Sequence, residues 1–200
     1  VRFQVVRERR LTVLDVLIDG FAAFELPGQF PRFGLVGVAG HPGGLFIYKL
    51  TLGLQFSLIG SLTSYLEKGY NHSSALTADG KTLIFADEVP VNLSMKSLDV
   101  SNFGNLTVLD YFKSTASTIA TPHNPFIRQG DNTRVVVAYY QDGVQIFDIT
   151  NPSNVIRSGF IDTSPADCPS CPNPNYSGCW GAYVDLPSQN ILASDMQNGL

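Results

Sequence analysis

Charge is scarce in this chain. Asp, Glu, Lys and Arg make up 15% of its 200 residues, and the net charge is −4. Binders of nucleic acid and of anionic membrane surfaces cluster Lys and Arg against phosphates, and no such cluster occurs, so neither partner is expected. The short Arg7-Glu-Arg9-Arg10 stretch contains an acid and reads as a solvated turn. No apolar run reaches the ~18 residues that span a bilayer, so direct membrane insertion is not expected. Catalytic signatures are missing as well: there is no Gly-x-Ser-x-Gly elbow, no His-Glu-x-x-His, no phosphate loop and no dinucleotide fingerprint. Helical stripes are lacking outside residues 11–25. There Leu11, Leu14 and Phe21 sit at helical spacing, but the β-branched Val13, Val16 and Ile18 favour a strand.

What is present is a recurring strand phrase, Leu-x-Val-x-Asp-Val in its fullest form. It reads Leu11-Thr-Val-Leu-Asp15-Val16, Leu45-Phe-Ile-Tyr-Lys49-Leu50, Met95-Lys-Ser-Leu-Asp99-Val100 and Val144-Gln-Ile-Phe-Asp148-Ile149. The last three share a period near 50 residues, the spacing of propeller blades. Around each phrase lie short β-branched and aromatic runs broken by Asp79-Gly80, Gln141-Asp-Gly143 and Thr150-Asn-Pro152, the grammar of an antiparallel meander. The expected fold is therefore all-β, a β-propeller of four-stranded antiparallel blades. Its units are expected at 44–70, 71–122, 123–179 and 180–200, the last incomplete, with 1–43 an irregular blade. Two hundred residues cannot close a ring of six to eight such blades, so a fragment of a larger ring is expected, or self-association.

At this point the chain resembles the LVIVD-repeat surface proteins, including the choice-of-anchor B group. The resemblance covers about residues 44–200. It rests on Asn71-His-Ser with Asp79-Gly-Lys-Thr-Leu-Ile-Phe-Ala-Asp-Glu88, on Pro122-His-Asn124 with Ala138-Tyr-Tyr-Gln-Asp-Gly143, and on Gly178-Cys-Trp-Gly-Ala-Tyr183 running into Leu186-Pro-Ser-Gln-Asn-Ile-Leu-Ala-Ser-Asp-Met196. What it implies is an extracellular or cell-surface propeller without an established chemistry. The departures are the first forty residues and Lys49 in an Asp slot.

Candidate residues follow from the repeat. His72 and His123 occupy nearly equivalent places beside an Asn at the start of a blade. They are either paired ligand or metal contacts, or imidazoles satisfying backbone groups where blades meet. Asp87, Glu88 and Asp195 end the second strands of their copies, with Tyr140 in the corresponding slot between. Carboxylates there are able to hold Ca²⁺ or hydrogen-bond sugar hydroxyls, or serve only as solubilising charge. Tyr139, Tyr140, Trp180 and Tyr183 supply an aromatic platform or interblade packing. Asp15, Asp99 and Asp148 are expected to cap the turns that follow them.

Cys168, Cys171 and Cys179 share one Pro-rich loop, where a bridge from Cys168 or Cys171 to Cys179 is expected, zinc being poorly served by three thiols. Sequons at Asn71, Asn92, Asn105 and Asn175, together with the cysteines, lean toward secretion and glycosylation. The function expected is a non-enzymatic binding, adhesion or scaffold module without cofactor, meeting a protein or glycan at the cell surface. The alternatives are a secreted hydrolase using channel-mouth carboxylates or a metal, and a subunit of a surface filament made of copies of itself.

Overall fold

The computed structural model describes residues 21–25, 35–39, 43–50, 55–116, 121–164 and 174–200. Its regular structure is almost wholly strand, in four antiparallel sheets that follow one another along the chain. The first is β1 (Phe21–Glu25), β2 (Leu35–Ala39), β3 (Leu45–Leu50) and β4 (Phe56–Leu62). The second is β5 (Tyr70–Leu76), β6 (Thr82–Val89), β7 (Met95–Asp99) and β8 (Thr107–Phe112). The third is β9 (Asn124–Phe126), β10 (Arg134–Ala138), β11 (Val144–Asp148) and β12 (Ile156–Ile161). β13 (Cys179–Tyr183) and β14 (Leu192–Asp195) pair as a fourth, two-stranded sheet. Every sheet is an up-and-down meander in chain order.

The expected unit boundary at residue 44 falls between β2 and β3 of the first sheet. Phe21–Glu25 and Leu35–Ala39 are short apolar runs that pair in register with each other and with Leu45–Leu50, so the segment before residue 44 contributes two regular strands. The phrase at residues 11–16 lies outside the described residues.

The repeat has a backbone counterpart. Each third strand shifts register against the fourth at the same slot, between Ile47 and Tyr48, Ser97 and Leu98, and Ile146 and Phe147. A bulge adds local twist, and three bulges at the repeat's own spacing twist the sheets alike. The Asp slots cap as expected: Asp99 Oδ1 accepts from the Ser101 amide at 2.9 Å, and Asp148 Oδ1 accepts from the Thr150 amide at 2.8 Å. The hydroxyls of Ser101 and Thr150 and then their amides hold both carboxyls below the usual range.

Alternation along a strand sends successive side chains to opposite faces. In β6 both faces are covered, which is why Leu83-Ile-Phe-Ala86 reads as a continuous apolar run. Leu83 and Phe85 pack on Leu45 and Ile47 of the first sheet, while Ile84 and Ala86 meet Val135, Val137 and Phe147 of the third. β10 repeats this one sheet later: Val136 and Ala138 turn away to meet Ala182 of the fourth sheet and Val184 just beyond β13. Each Leu, Ile, Val or Phe side chain so removed from water contributes about 1.5–3 kcal/mol, so these intersheet layers are the core.

Turn latches support the stacking. Asn132 Oδ1 accepts from the Asp79 amide at 2.8 Å, and Asp185 Oδ1 accepts from the Gln129 amide at 3.0 Å. The opening strands also meet one another, β1 with β5, β5 with β9, and β9 with β13.

Candidate functional site

Where the second, third and fourth sheets meet, the ladders are broken at chosen residues. In β5 and β6, Tyr70 faces Val89, Asn71 faces Asp87 and Ser73 faces Ala86, so Glu88 and His72 are each left without a partner across the strand. In β13, Cys179 faces Asp195 and Gly181 faces Ser194, so Trp180 is the extra residue there. Bulges re-aim side chains and concentrate beside functional sites. Tyr140, just after β10, adopts a left-handed φ of 45°, which a bulky residue takes only under constraint. The constraint is a reciprocal backbone bridge: Tyr140 N donates to Cys179 O at 3.1 Å, and Cys179 N donates to Tyr140 O at 2.9 Å. Gly178 makes this approach possible, since a Cβ there would lie 2.4 Å from Tyr140 O.

These breaks bring His72, Glu88, His123, Tyr140 and Trp180 together. The His72 and His123 rings stack at 4.6 Å and 23°. His123 also lies 4.3 Å from the Trp180 ring and 4.7 Å from that of Tyr140, centroid to centroid. Glu88 is held by two neighbours: Tyr140 donates its hydroxyl to Oε1 at 2.5 Å, and His72 Nδ1 lies 3.4 Å from Oε2. Two residues that the repeat did not flag complete the group. Tyr70 extends the row of rings at 6.4 Å from His72, and Tyr176, in a short 3₁₀ turn (Pro174–Tyr176), meets the Tyr140 ring edge-on at 5.5 Å. Tyr176 lies in the Pro-rich loop that carries the cysteines, where no strand pattern marks it.

The protonation states follow from the contacts. His123 is 1% exposed, and its Nδ1 lies 2.6 Å from Trp180 O. Asn124 Nδ2, which only donates, lies 2.8 Å from the same Nδ1, but the carbonyl is nearer and only accepts, so the proton is assigned to Nδ1, which donates to Trp180 O. Asn124 Nδ2 donates to the same carbonyl at 3.0 Å. The opposite nitrogen, Nε2, is then a bare lone pair, buried and without a partner among the described residues. Burial, with His72 adding to it, pushes the His123 pKa down to about 4, so the ring is neutral near pH 7. The Tyr140 hydroxyl is raised well above the usual tyrosine range by burial, by its bond to Glu88 and by that residue's charge. Burial and then Glu88 raise Tyr176 in the same direction.

Asp87 and Asp195, the other two carboxylate candidates, find their hydrogen-bond partners outside the cluster. Asp87 lies one residue from Glu88 on β6 and points the other way, as alternation requires. It is fully buried against Lys96 Nζ at 2.8 Å and accepts from the Tyr65 hydroxyl at 3.0 Å. Lys96 also donates to Glu67 O at 2.8 Å. Asp195 caps its own turn, accepting from the Gln197 and Asn198 amides at 2.9 Å each and from Thr163 Oγ1 at 2.7 Å. Among the described residues, no group of three or more His, Cys, Asp or Glu side chains is arranged to hold a metal. The stacked imidazoles do not converge either, because near-parallel rings send their in-plane lone pairs alongside one another.

The remaining candidates separate by burial. Asn71 is fully buried and donates to Ala86 O, which corrects its place among the glycan acceptors: no glycan fits there in the folded chain. Asn92 and Asn105 are exposed, and Asn175 is partly so. Cys179 is a buried free thiol, its pKa pushed up to about 11 by burial and by Asp195. Cys168 and Cys171 lie outside the described residues. Tyr139 is buried in the layer between the second and third sheets, whereas Tyr183 is half-exposed on β13.

No protein-family model matches this chain, and no curated protein matches it. Among solved structures it is similar to a functionally unknown protein from Desulfotomaculum acetoxidans DSM 771. The identity is 13% and the TM-score 0.51, over 98% of this chain and 76% of that one. At that identity the likeness shows the fold alone.

Proposed function

We propose that this chain is a non-enzymatic binding or adhesion module of the extracellular or cell-surface kind, built on a β-propeller plan, with its ligand at the His72–Trp180 cluster. The observation that carries the reading is the convergence of three bulged residues, His72, Glu88 and Trp180, on a buried imidazole with an unpartnered Nε2. An unsatisfied buried acceptor costs about 1–3 kcal/mol, a cost that functional sites bear more often than cores. The propeller plan draws support from meander sheets in chain order, from their recurrent bulges and from the mutual contacts of their opening strands. The surface location rests on the LVIVD-repeat resemblance and on the exposed sequons at Asn92 and Asn105.

The hydrolase alternative is less well served. A glycosidase-type pair needs two carboxylates facing one space, and Asp87, the neighbour of Glu88, is tied to Lys96. The test is an array of cell-surface proteins and glycans, run beside a panel of glycoside and phosphoester substrates. The reading expects retention on the array that Trp180→Ala abolishes, and no turnover. Turnover that Glu88→Gln removes from a folded chain overturns it.

A further inference from the structure

We propose that the group recognised at this cluster is an organic cation, an ammonium carried by a small amine or by a lysine side chain. The inference rests on reading the cluster as a binding site and names the chemistry of its ligand. Three features point the same way. First, the reachable charge is negative. Glu88 remains 14% exposed, and the partners it shows are the hydroxyl of Tyr140 and the imidazole of His72, neither of them a Lys or Arg.

Second, the surround is aromatic. Tyr70, His72, His123 and Trp180 form a continuous row of rings, with Tyr140 and Tyr176 packed beside it. The row is buried in the middle and open at its ends, Trp180 being 50% exposed and Tyr70 36%. Ring faces carry negative quadrupole density and attract a cation within about 6 Å, by ~0.5–2 kcal/mol per contact. Third, the polar atom left over is a lone pair. With Nδ1–H of His123 spent on Trp180 O, its Nε2 only accepts, so it answers a donor and not another acceptor. A carboxylate, ring faces and an unsatisfied acceptor share one complement: a positively charged N–H or N–CH₃ group. A phosphate or a carboxylate ligand would meet repulsion here.

Trp180 is the single tryptophan of the chain, so its fluorescence reports this site and no other. The probes are n-butylammonium and tetramethylammonium as free cations, N-acetyl-lysine methylamide as the side-chain form, and N-acetyl-norleucine methylamide as its uncharged counterpart. A saturable change in Trp180 emission is expected with the ammonium probes, at affinities on the order of 1 mM, and none with norleucine. Rising ionic strength should weaken it in the wild-type chain. Glu88→Gln, its folding checked by near-ultraviolet circular dichroism, should weaken it about tenfold, the equivalent of about 1.4 kcal/mol.

A response to the lysine form alone assigns the source to a protein side chain; an equal response to the free cations assigns it to a small amine. An equal response to norleucine, indifference to salt, or silence with every ammonium probe overturns the inference. Should neutral methyl glycosides bind instead, and Trp180→Ala abolish that by nuclear magnetic resonance, the cation falls while the binding-module reading stands. Loss of both, with turnover present, removes the two together.

Discussion

Asp87 and Glu88 are neighbours on β6, yet they head opposite kinds of polar cluster. On one face, Asp87 is saturated: a buried ammonium, a phenol and a closed apolar wall leave it no remaining task. Phe85 and Tyr65 lie beneath the same Lys96 ammonium, at 5.9 Å and 5.7 Å. On the other face, Glu88 is partly open, has no Lys or Arg partner among the described residues and is held by the Tyr140 hydroxyl and the His72 ring. The strand alternates, so one step in sequence separates a cross-link between strands from a site that faces outward. The lesson is that a buried charge with its counter-charge stabilises the architecture, and a half-buried charge without one is left for something else.

The largest effect should come from breaking the saturated side. Lys96→Met strands the Asp87 carboxylate, and about 3–5 kcal/mol of unfolding free energy should be lost in a urea titration. Adding Asp87→Leu to Lys96→Met should recover much of that, because two apolar groups need no partner.

Next in size is an acid sensitivity lodged in the open cluster. His123 is held near pKa 4 in the folded chain, against an ordinary value of 6.5, so the unfolded chain binds the extra proton between those pH values. Stability is then complete above about pH 6.5 and falls as pH drops toward 4, by up to about 3 kcal/mol. His72 and Tyr140 pack against the same ring. His123→Gln should flatten it, as read from unfolding midpoints at successive pH values.

A smaller effect is expected at the hinge between the two sheets. Gly178→Ala forces a Cβ onto Tyr140 O at a φ of 103°, and about 2 kcal/mol should be lost, with the Trp180 emission altered even without ligand. The smallest effect belongs to the exposed turns. Asp148→Ala removes one cap from the Thr150 amide, and thermal unfolding should shift by a degree or a few, about 0.5 kcal/mol.

Much of this organisation is written in local chemistry. The Leu83–Ala86 run, the Val135–Val137 run and the Asp99 and Asp148 caps announce strands buried on both faces and the turns between them, because alternation and Asx turns act over a few residues. The repeat also placed His72 and His123 in equivalent positions and Tyr140 in the slot of the carboxylates. What it could not show is which of Asp87 and Glu88 meets a counter-charge, since Lys96 reaches Asp87 from the neighbouring strand and no pattern within β6 announces it. Nor does Met95-Lys96-Ser-Leu-Asp99 look like a core strand around a buried lysine. The hint lies in comparing copies, for Gln145 fills the same slot and is buried too. Tyr176 entered the site through a loop whose geometry no strand pattern governs, and the first sheet was obscured by its glycines and prolines.

The contrast between the two faces of β6 is tested most directly by paired isosteric variants, Asp87→Asn and Glu88→Gln, each read by unfolding free energy and by the Trp180 response to n-butylammonium. The account predicts that Asp87→Asn loses several kcal/mol, about 2–4, while its folded fraction still responds. It predicts that Glu88→Gln unfolds within about 1 kcal/mol of the wild type and responds about tenfold more weakly. The reverse pattern, a stability loss at Glu88 and a lost response at Asp87, would contradict it.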